Sequence, residues 1–130
     1  MSSIFTKIIN GEIPSYKIAE DDNYYAFLDI NPNAIGHTLA IPKKEVDKLF
    51  DLDSETYIGL MQFAHKVARV LEKTISCNRI GMTVVGLEVP HAHVHLIPIN
   101  DVSDINFTSK KIKMQHEEFV ALAKKIANNF

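Results

Sequence analysis

The sequence predicts an α+β fold, a mostly antiparallel sheet with helices packed on one face. Three observations lead there. β-branched and aromatic runs precede and follow one long amphipathic stretch. The order reads strands, a long helix, two strands, then a shorter helix. Histidine alternates with apolar residues at His91, His93 and His95, which is the period of a strand.

The elements follow in chain order. Residues 4–9 are apolar and β-branched, and Asn10-Gly11 offers a hairpin turn after them. Residues 16–19 form a short strand candidate. Glu20-Asp21-Asp22-Asn23 is a polar turn, and the aromatic run 24–28 reads as the next strand. Asn31-Pro32-Asn33 marks a loop. Residues 37–41 read as a strand stopped by Pro42. Residues 54–75 form the clearest helix, with Ile58, Met61, Ala64 or His65, Ala68 and Leu71 as one apolar stripe. Asp53 or Ser54 can cap its start. Gly59 weakens this helix and marks close packing. Residues 80–85 and 91–97 read as strands. A second amphipathic helix covers about 115–128, with Phe119, Leu122, Ala123 and Ile126 on one face.

The chain has 130 residues, enough for one domain, and no linker or repeat divides residues 1–130. Net charge is −2, without the basic stripe of a nucleic-acid binder, so no nucleic-acid partner is expected. No run approaches eighteen apolar residues, so no membrane partner is expected either. The first residues lack the features of a signal peptide. One cysteine, Cys77, permits no intrachain disulfide. The expected compartment is the cytoplasm.

The segment His91-Ala92-His93-Val94-His95-Leu96-Ile97 carries the chemistry. In a strand, all three imidazoles share one face, while Ala92, Val94 and Leu96 face the core. Three readings arise: a solvated face, a metal site and a catalytic row. A strand rises about 3.3 Å per residue, so His91 and His95 lie roughly 13 Å apart along the backbone. One ion cannot easily gather all three, although two of them with His37 could bind one. The catalytic reading makes the central imidazole a nucleophile with a proton donor beside it. That requires one ring nitrogen to be free and the other held by an acceptor. His65 and His116 read as ordinary helix residues.

The pattern His-x-His-x-His followed by two apolar residues resembles the signature of the histidine triad (HIT) family. Ile4-Phe5-x-Lys7-Ile8-Ile9, Glu12-Ile13-Pro14, the run from Glu20 through Phe27-Leu28-Asp29-Ile30-Asn31-Pro32, and Gly36-His37-Thr38-Leu39-Ala40-Ile41-Pro42-Lys43-Lys44 are similar to its other blocks. The resemblance covers about residues 4–100 and is nearest the nucleotide-binding branch. It implies a five-stranded sheet joined to a second across a twofold homodimer. It implies that His93 attacks an α-phosphorus and carries a nucleotidyl group. His95 would donate a proton, and His91 and His37 would support, with a carbonyl near His91 orienting the nucleophile. Asp29 would bind the ribose hydroxyls, and Ile4, Phe5, Ile8, Leu28 and Ile30 would lie near the base.

Two departures stand out. Before the triad the run is Val85-Gly86-Leu87-Glu88-Val89-Pro90, which looks shortened, with Leu87 and Glu88 where Gln and Ser would be expected. Some bacterial relatives carry Cys-x-x-Cys near the start and a His after Pro-Lys-Lys. Here Ser2-Ser3-Ile4-Phe5 and Glu45 stand there, so that structural zinc site is not expected. The expected function is hydrolysis of a nucleoside 5′-phosphoramidate or related purine nucleotide bond through a covalent histidine–nucleotide intermediate, without metal or cofactor. The partner would be a purine nucleotide or an adenylated small molecule. The alternatives are a non-catalytic nucleotide-binding dimer, a dinucleoside polyphosphate hydrolase and a metal-dependent hydrolase.

Overall fold

A computed structural model describes residues 2–130. Five strands form one antiparallel sheet: β1 (Lys17–Glu20), β2 (Tyr24–Leu28), β3 (Thr38–Pro42), β4 (Arg79–Thr83) and β5 (Val94–Ile99). Their spatial order is β1-β2-β3-β5-β4, so β5 sits inside the sheet and β1 and β4 are its edges. The helices are α1 (Ile4–Ile9), α2 (Ser54–Thr74) and α3 (His116–Ala127). Among the described residues, no helix is long and apolar enough to cross a membrane.

Residues 4–9 depart from the strand expected there. They form α1, a short helix capped by Ser3, whose side chain accepts from the Thr6 amide. Phe5 and Ile8 lie one turn apart, so a helix buries both on one side. Capping and burial outweigh the modest β preference of isoleucine. The turn at Asn10-Gly11 is present, with Gly11 at φ +79°, but it closes a helix and joins no hairpin.

α2 and α3 pack on one face of the sheet, and their core includes Leu28, Ala40, Val94 and Leu96. α1 packs on the opposite face with Tyr25, Phe27, Leu39 and Ile41. The helices therefore do not all lie on one side, as the sequence alone suggested. α2 begins at the expected cap, Asp53. Its buried stripe is Leu60, Phe63, Ala64, Val67, Val70 and Leu71, rotated from the predicted one. Ile58 is 55% exposed, and Met61 and Ala68 only flank the core. Apolar residues border both edges of the stripe, so periodicity alone did not set its phase.

The strand containing the triad begins later than expected. β5 starts at Val94, leaving His91, Ala92 and His93 in an irregular lead-in. That lead-in is anchored: the His91 amide donates to the Val89 carbonyl at 2.8 Å, and the Ala92 amide donates to Val46 at 2.7 Å. Alternation survives, because Ala92, Val94 and Leu96 all join the core under α2. The histidines take the other face, which α1 covers.

Candidate active site

Three imidazoles have their proton placement dictated by partners that can only accept or only donate. The His93 Nδ1 lies 2.7 Å from the His91 carbonyl oxygen. A carbonyl only accepts, so His93 Nδ1 carries the proton and Nε2 keeps a free lone pair. The Asn33 amide donates to His37 Nδ1 at 3.0 Å, so neutral His37 carries its proton on Nε2. His37 Nε2 lies 2.9 Å from His95 Nδ1, which must accept, leaving His95 with its proton on Nε2. The result is one imidazole with a free lone pair beside another with a free N–H. The His93 and His95 rings are 5.0 Å apart.

Burial disfavours the charged forms of His37, His95 and His91. His37 is pushed down to about 3, first by desolvation and then by the neighbouring His95. His95 is pushed down to about 4 by desolvation, with His93 adding to it. His91 is also lowered by burial, although its bond to Pro42 opposes the shift.

His91 is wholly buried and is tied at both nitrogens. Nε2 donates to the Pro42 carbonyl at 2.7 Å, and Nδ1 accepts from the Ser3 hydroxyl at 2.8 Å. Glu45 accepts from the Ser3 amide at 2.7 Å and from the Thr6 hydroxyl at 2.6 Å. Ser3 and Glu45, both part of the second departure noted in the sequence, thus fasten α1 to His91 through hydrogen bonds. Phe5 packs edge-on against His93 with centroids 5.0 Å apart, and also touches Phe27 at 5.4 Å.

Asp29 follows β2 and sits beside His37, with its Oδ2 3.6 Å from His37 Nε2. That is too long for a hydrogen bond, so the contact is electrostatic. Its Oδ1 accepts from the Asn31 amide at 2.8 Å. Desolvation raises its pKa; Asn31 and Lys111 oppose the shift and Glu88 adds to it. Asp29, His37 and His95 bring three ligand-capable atoms within 4.8 Å of one another. This cluster is not the two triad histidines plus His37 that the sequence suggested. Moreover, the facing nitrogens of His37 and His95 are already joined, so an ion there has to break that bond.

The predicted base contacts divide. Phe5 and Ile8 are buried beneath the site on the histidine face, while Ile4 and Ile30 are exposed. Leu28 is a correction. It is 1% exposed and points into the core under α2 and α3, away from the histidines. Phe27 holds the corresponding place on the active face. Alternation counted back two residues from Asp29 identifies Phe27. The pre-triad loop turns at Gly86, φ +75°, and leaves Leu87 and Glu88 exposed.

Sequence reasoning missed a second group. After β5 the chain forms a 3₁₀ turn over Val102–Ile105 and returns across the site. Phe107 lies 4.7 Å from the His95 ring and 6.0 Å from His37, between centroids. Lys111 donates to Asn33 Oδ1 and stands 5.0 Å over the Phe107 ring. The Ile112 amide donates to the Pro32 carbonyl at 2.9 Å, which pins this strap to the Asn31–Asn33 loop. No local periodicity marks such a segment.

A five-stranded α+β sheet bearing one histidine with a free lone pair and one with a free N–H defines a histidine-based site on the histidine triad architecture. The HIT domain profile matches residues 10–102, and the chain belongs to the HIT family. It is 37% identical over 134 residues to an uncharacterized HIT-like protein of Borreliella burgdorferi, covering 97% of this chain and 96% of that one. It is 32% identical over 130 residues to the adenosine 5′-monophosphoramidase hnt1 of Schizosaccharomyces pombe, covering 98% of each. The crystal structure of a Hit-like protein involved in cell-cycle regulation from Bartonella henselae superposes with a TM-score of 0.85. It is 34% identical, covering 99% of this chain and 96% of that chain.

Proposed function

We propose that this protein hydrolyses a nucleoside 5′-phosphoramidate or a related purine nucleotide bond at the α-phosphorus, through a covalent intermediate on His93. The observation that carries this reading is the pair of opposed tautomers: a lone pair on His93 Nε2 beside a proton on His95 Nε2. The likeness to the fission-yeast adenosine 5′-monophosphoramidase supports the substrate class.

His93 Nε2 attacks phosphorus, and the bond from phosphorus to the leaving nitrogen or oxygen breaks. His95, protonated once the anionic phosphate is bound beside it, gives its Nε2 proton to that leaving atom and returns to its neutral state. The nucleotidylated His93 ring becomes cationic, and the His91 carbonyl at its Nδ1–H stabilises it. Water then attacks phosphorus. Its proton passes to the vacant His95 Nε2, and the bond to His93 breaks to release the monophosphate. Asp29 holds the ribose hydroxyls. Phe5, Phe27, Ile8, Ile4 and Ile30 form the apolar ground near the base. His91 and His37 position the two reacting rings. The sequence of steps uses no metal or cofactor.

The homodimer belongs to the same proposal. β4 is a sheet edge, and exposed Met82, Val84 and Val85 lie on it or just after it. An apolar open edge is suited to pairing with a second copy.

The test is intact-protein mass spectrometry after rapid quenching with adenosine 5′-phosphoramidate, following exhaustive chelation. A gain of one AMP is expected on the wild type and none on His93→Ala, whose turnover should fall at least about 10³-fold. Turnover abolished by chelation would move the chemistry to a metal at Asp29, His37 and His95. No adduct and no AMP release would leave a nucleotide-binding dimer.

A further inference from the structure

Glu45 is exposed, yet one of its oxygens starts a directed chain of hydrogen bonds that ends on His91. A carboxylate only accepts. Glu45 Oε1 therefore takes the Thr6 hydroxyl proton at 2.6 Å and the Ser3 amide proton at 2.7 Å. These two donors hold the carboxyl below its ordinary pKa. The Thr6 amide donates in turn to Ser3 Oγ at 3.1 Å. The Ser3 hydroxyl proton then has two acceptors near it, His91 Nδ1 at 2.8 Å and Thr6 Oγ1 at 3.3 Å. The shorter contact is the stronger. It also agrees with the far side of the ring, where His91 Nε2 donates to the Pro42 carbonyl and so leaves Nδ1 to accept.

The chain matters because of what it holds. The carbonyl of His91 fixes the Nδ1–H of His93. Residues 91–93 precede β5, so no strand ladder sets their place. Phe5, on the first turn of α1, packs edge-on against both rings, at 5.8 Å from His91 and 5.0 Å from His93. α1 has only six residues, and a helix that short takes its position from its anchors. Glu45 ties the start of α1, and its neighbour Val46 accepts from the Ala92 amide at 2.7 Å. Residues 45 and 46 thus grip the lead-in to the triad from two sides.

We propose that Glu45, acting through Thr6 and Ser3, is a positioning residue of the reaction: it seats α1 against His91 and His93 and so sets the direction in which His93 presents Nε2. Its acceptor oxygen does this, and its charge is secondary. The kinetic consequence rests on the reading of His93 as nucleophile.

The experiment pairs steady-state turnover of adenosine 5′-phosphoramidate with solvent exchange of the His93 Nδ1–H, followed by NMR on protein labelled with ¹⁵N-histidine. Glu45→Ala should lower kcat by about tenfold, the scale of a slight misplacement of a reacting group. It should also speed exchange by about tenfold, because the lead-in opens more often. Glu45→Gln offers the same acceptor oxygen and should return both readouts to within about twofold of the wild type. Ser3→Ala breaks the same chain, so the Ser3→Ala/Glu45→Ala double variant should lose little more than either single one. Wild-type kcat and exchange in Glu45→Ala would overturn the proposal. So would a glutamine variant as impaired as the alanine one, which assigns the effect to charge, or fully additive losses, which assign it to two separate sites. Should the wild type fail to turn over the phosphoramidate, the nucleophile reading falls, and the exchange rates alone still decide whether Glu45 holds His93 in place.

Discussion

His93 can offer a lone pair because a backbone oxygen two residues earlier holds its other nitrogen. His95 can offer a proton because His37, fixed by the Asn33 amide, occupies its Nδ1. The reactive difference between two identical side chains is therefore set by their neighbours. It follows that His95→Asn should lower kcat on adenosine 5′-phosphoramidate by about 10²–10⁴-fold, the usual worth of a general acid. An ester of AMP with p-nitrophenol, whose leaving group departs without protonation, should recover most of that loss in steady-state assays. An equal deficit on both substrates would contradict the acid role. At this scale, the alternating histidines were legible because strand period two is local. The carbonyl beside His91 was anticipated too, being two residues from His93, whereas the tautomers of His91 and His95 were not, because Asn33, Pro42 and Ser3 are remote from the triad in sequence.

α1 shows how capping and burial override composition. Its residues look like a strand, yet Ser3 caps it and the sheet face opposite α2 receives Phe5 and Ile8. α2 shows the reverse: its existence was plain, and only its rotation was misjudged. Gly59 bears on that rotation. A Cβ at Gly59 meets the Tyr24 hydroxyl oxygen at 1.8 Å. That hydroxyl donates to the Thr56 carbonyl at 3.2 Å, and the Tyr24 ring stacks on Phe63. The close approach noted in the sequence is therefore between α2 and β2. Gly59→Ala gains helix propensity but forces Tyr24 aside. A net destabilisation of about 1–3 kcal/mol is expected from urea unfolding. Adding Tyr24→Phe should return part of it; no change in either variant would show that Tyr24 gives way freely.

Over the whole molecule, the sheet carries its packed core on one side and its buried histidines on the other, and that burial has a cost in acid. Unfolded, His37 and His95 take up protons near pH 6.5; folded, they resist until about pH 3 and 4 respectively. The unfolded chain thus binds more protons below pH 6.5. The stability these rings contribute is complete above that pH and is lost as pH falls toward 4. Asp29, whose pKa is raised, acts in the opposite sense and at lower pH. The urea midpoint should therefore drop between pH 7.5 and pH 5, and the drop should be smaller in His37→Gln. An equal drop in that variant would assign the acid sensitivity to other groups.

The sequence by itself determined the order of elements from β1 onward, the long α2, the alternating histidines and their likeness to the HIT family. These are properties of short windows, where side-chain period and turn chemistry act between near neighbours. Only the tertiary structure decided that α1 is a helix on the histidine face, that Phe27 and not Leu28 lies on that face, and that Phe107 returns to pack on His95. It also paired Ser3 with His91, 88 residues apart. Such contacts depend on which faces meet once the sheet has formed, and no local periodicity records that.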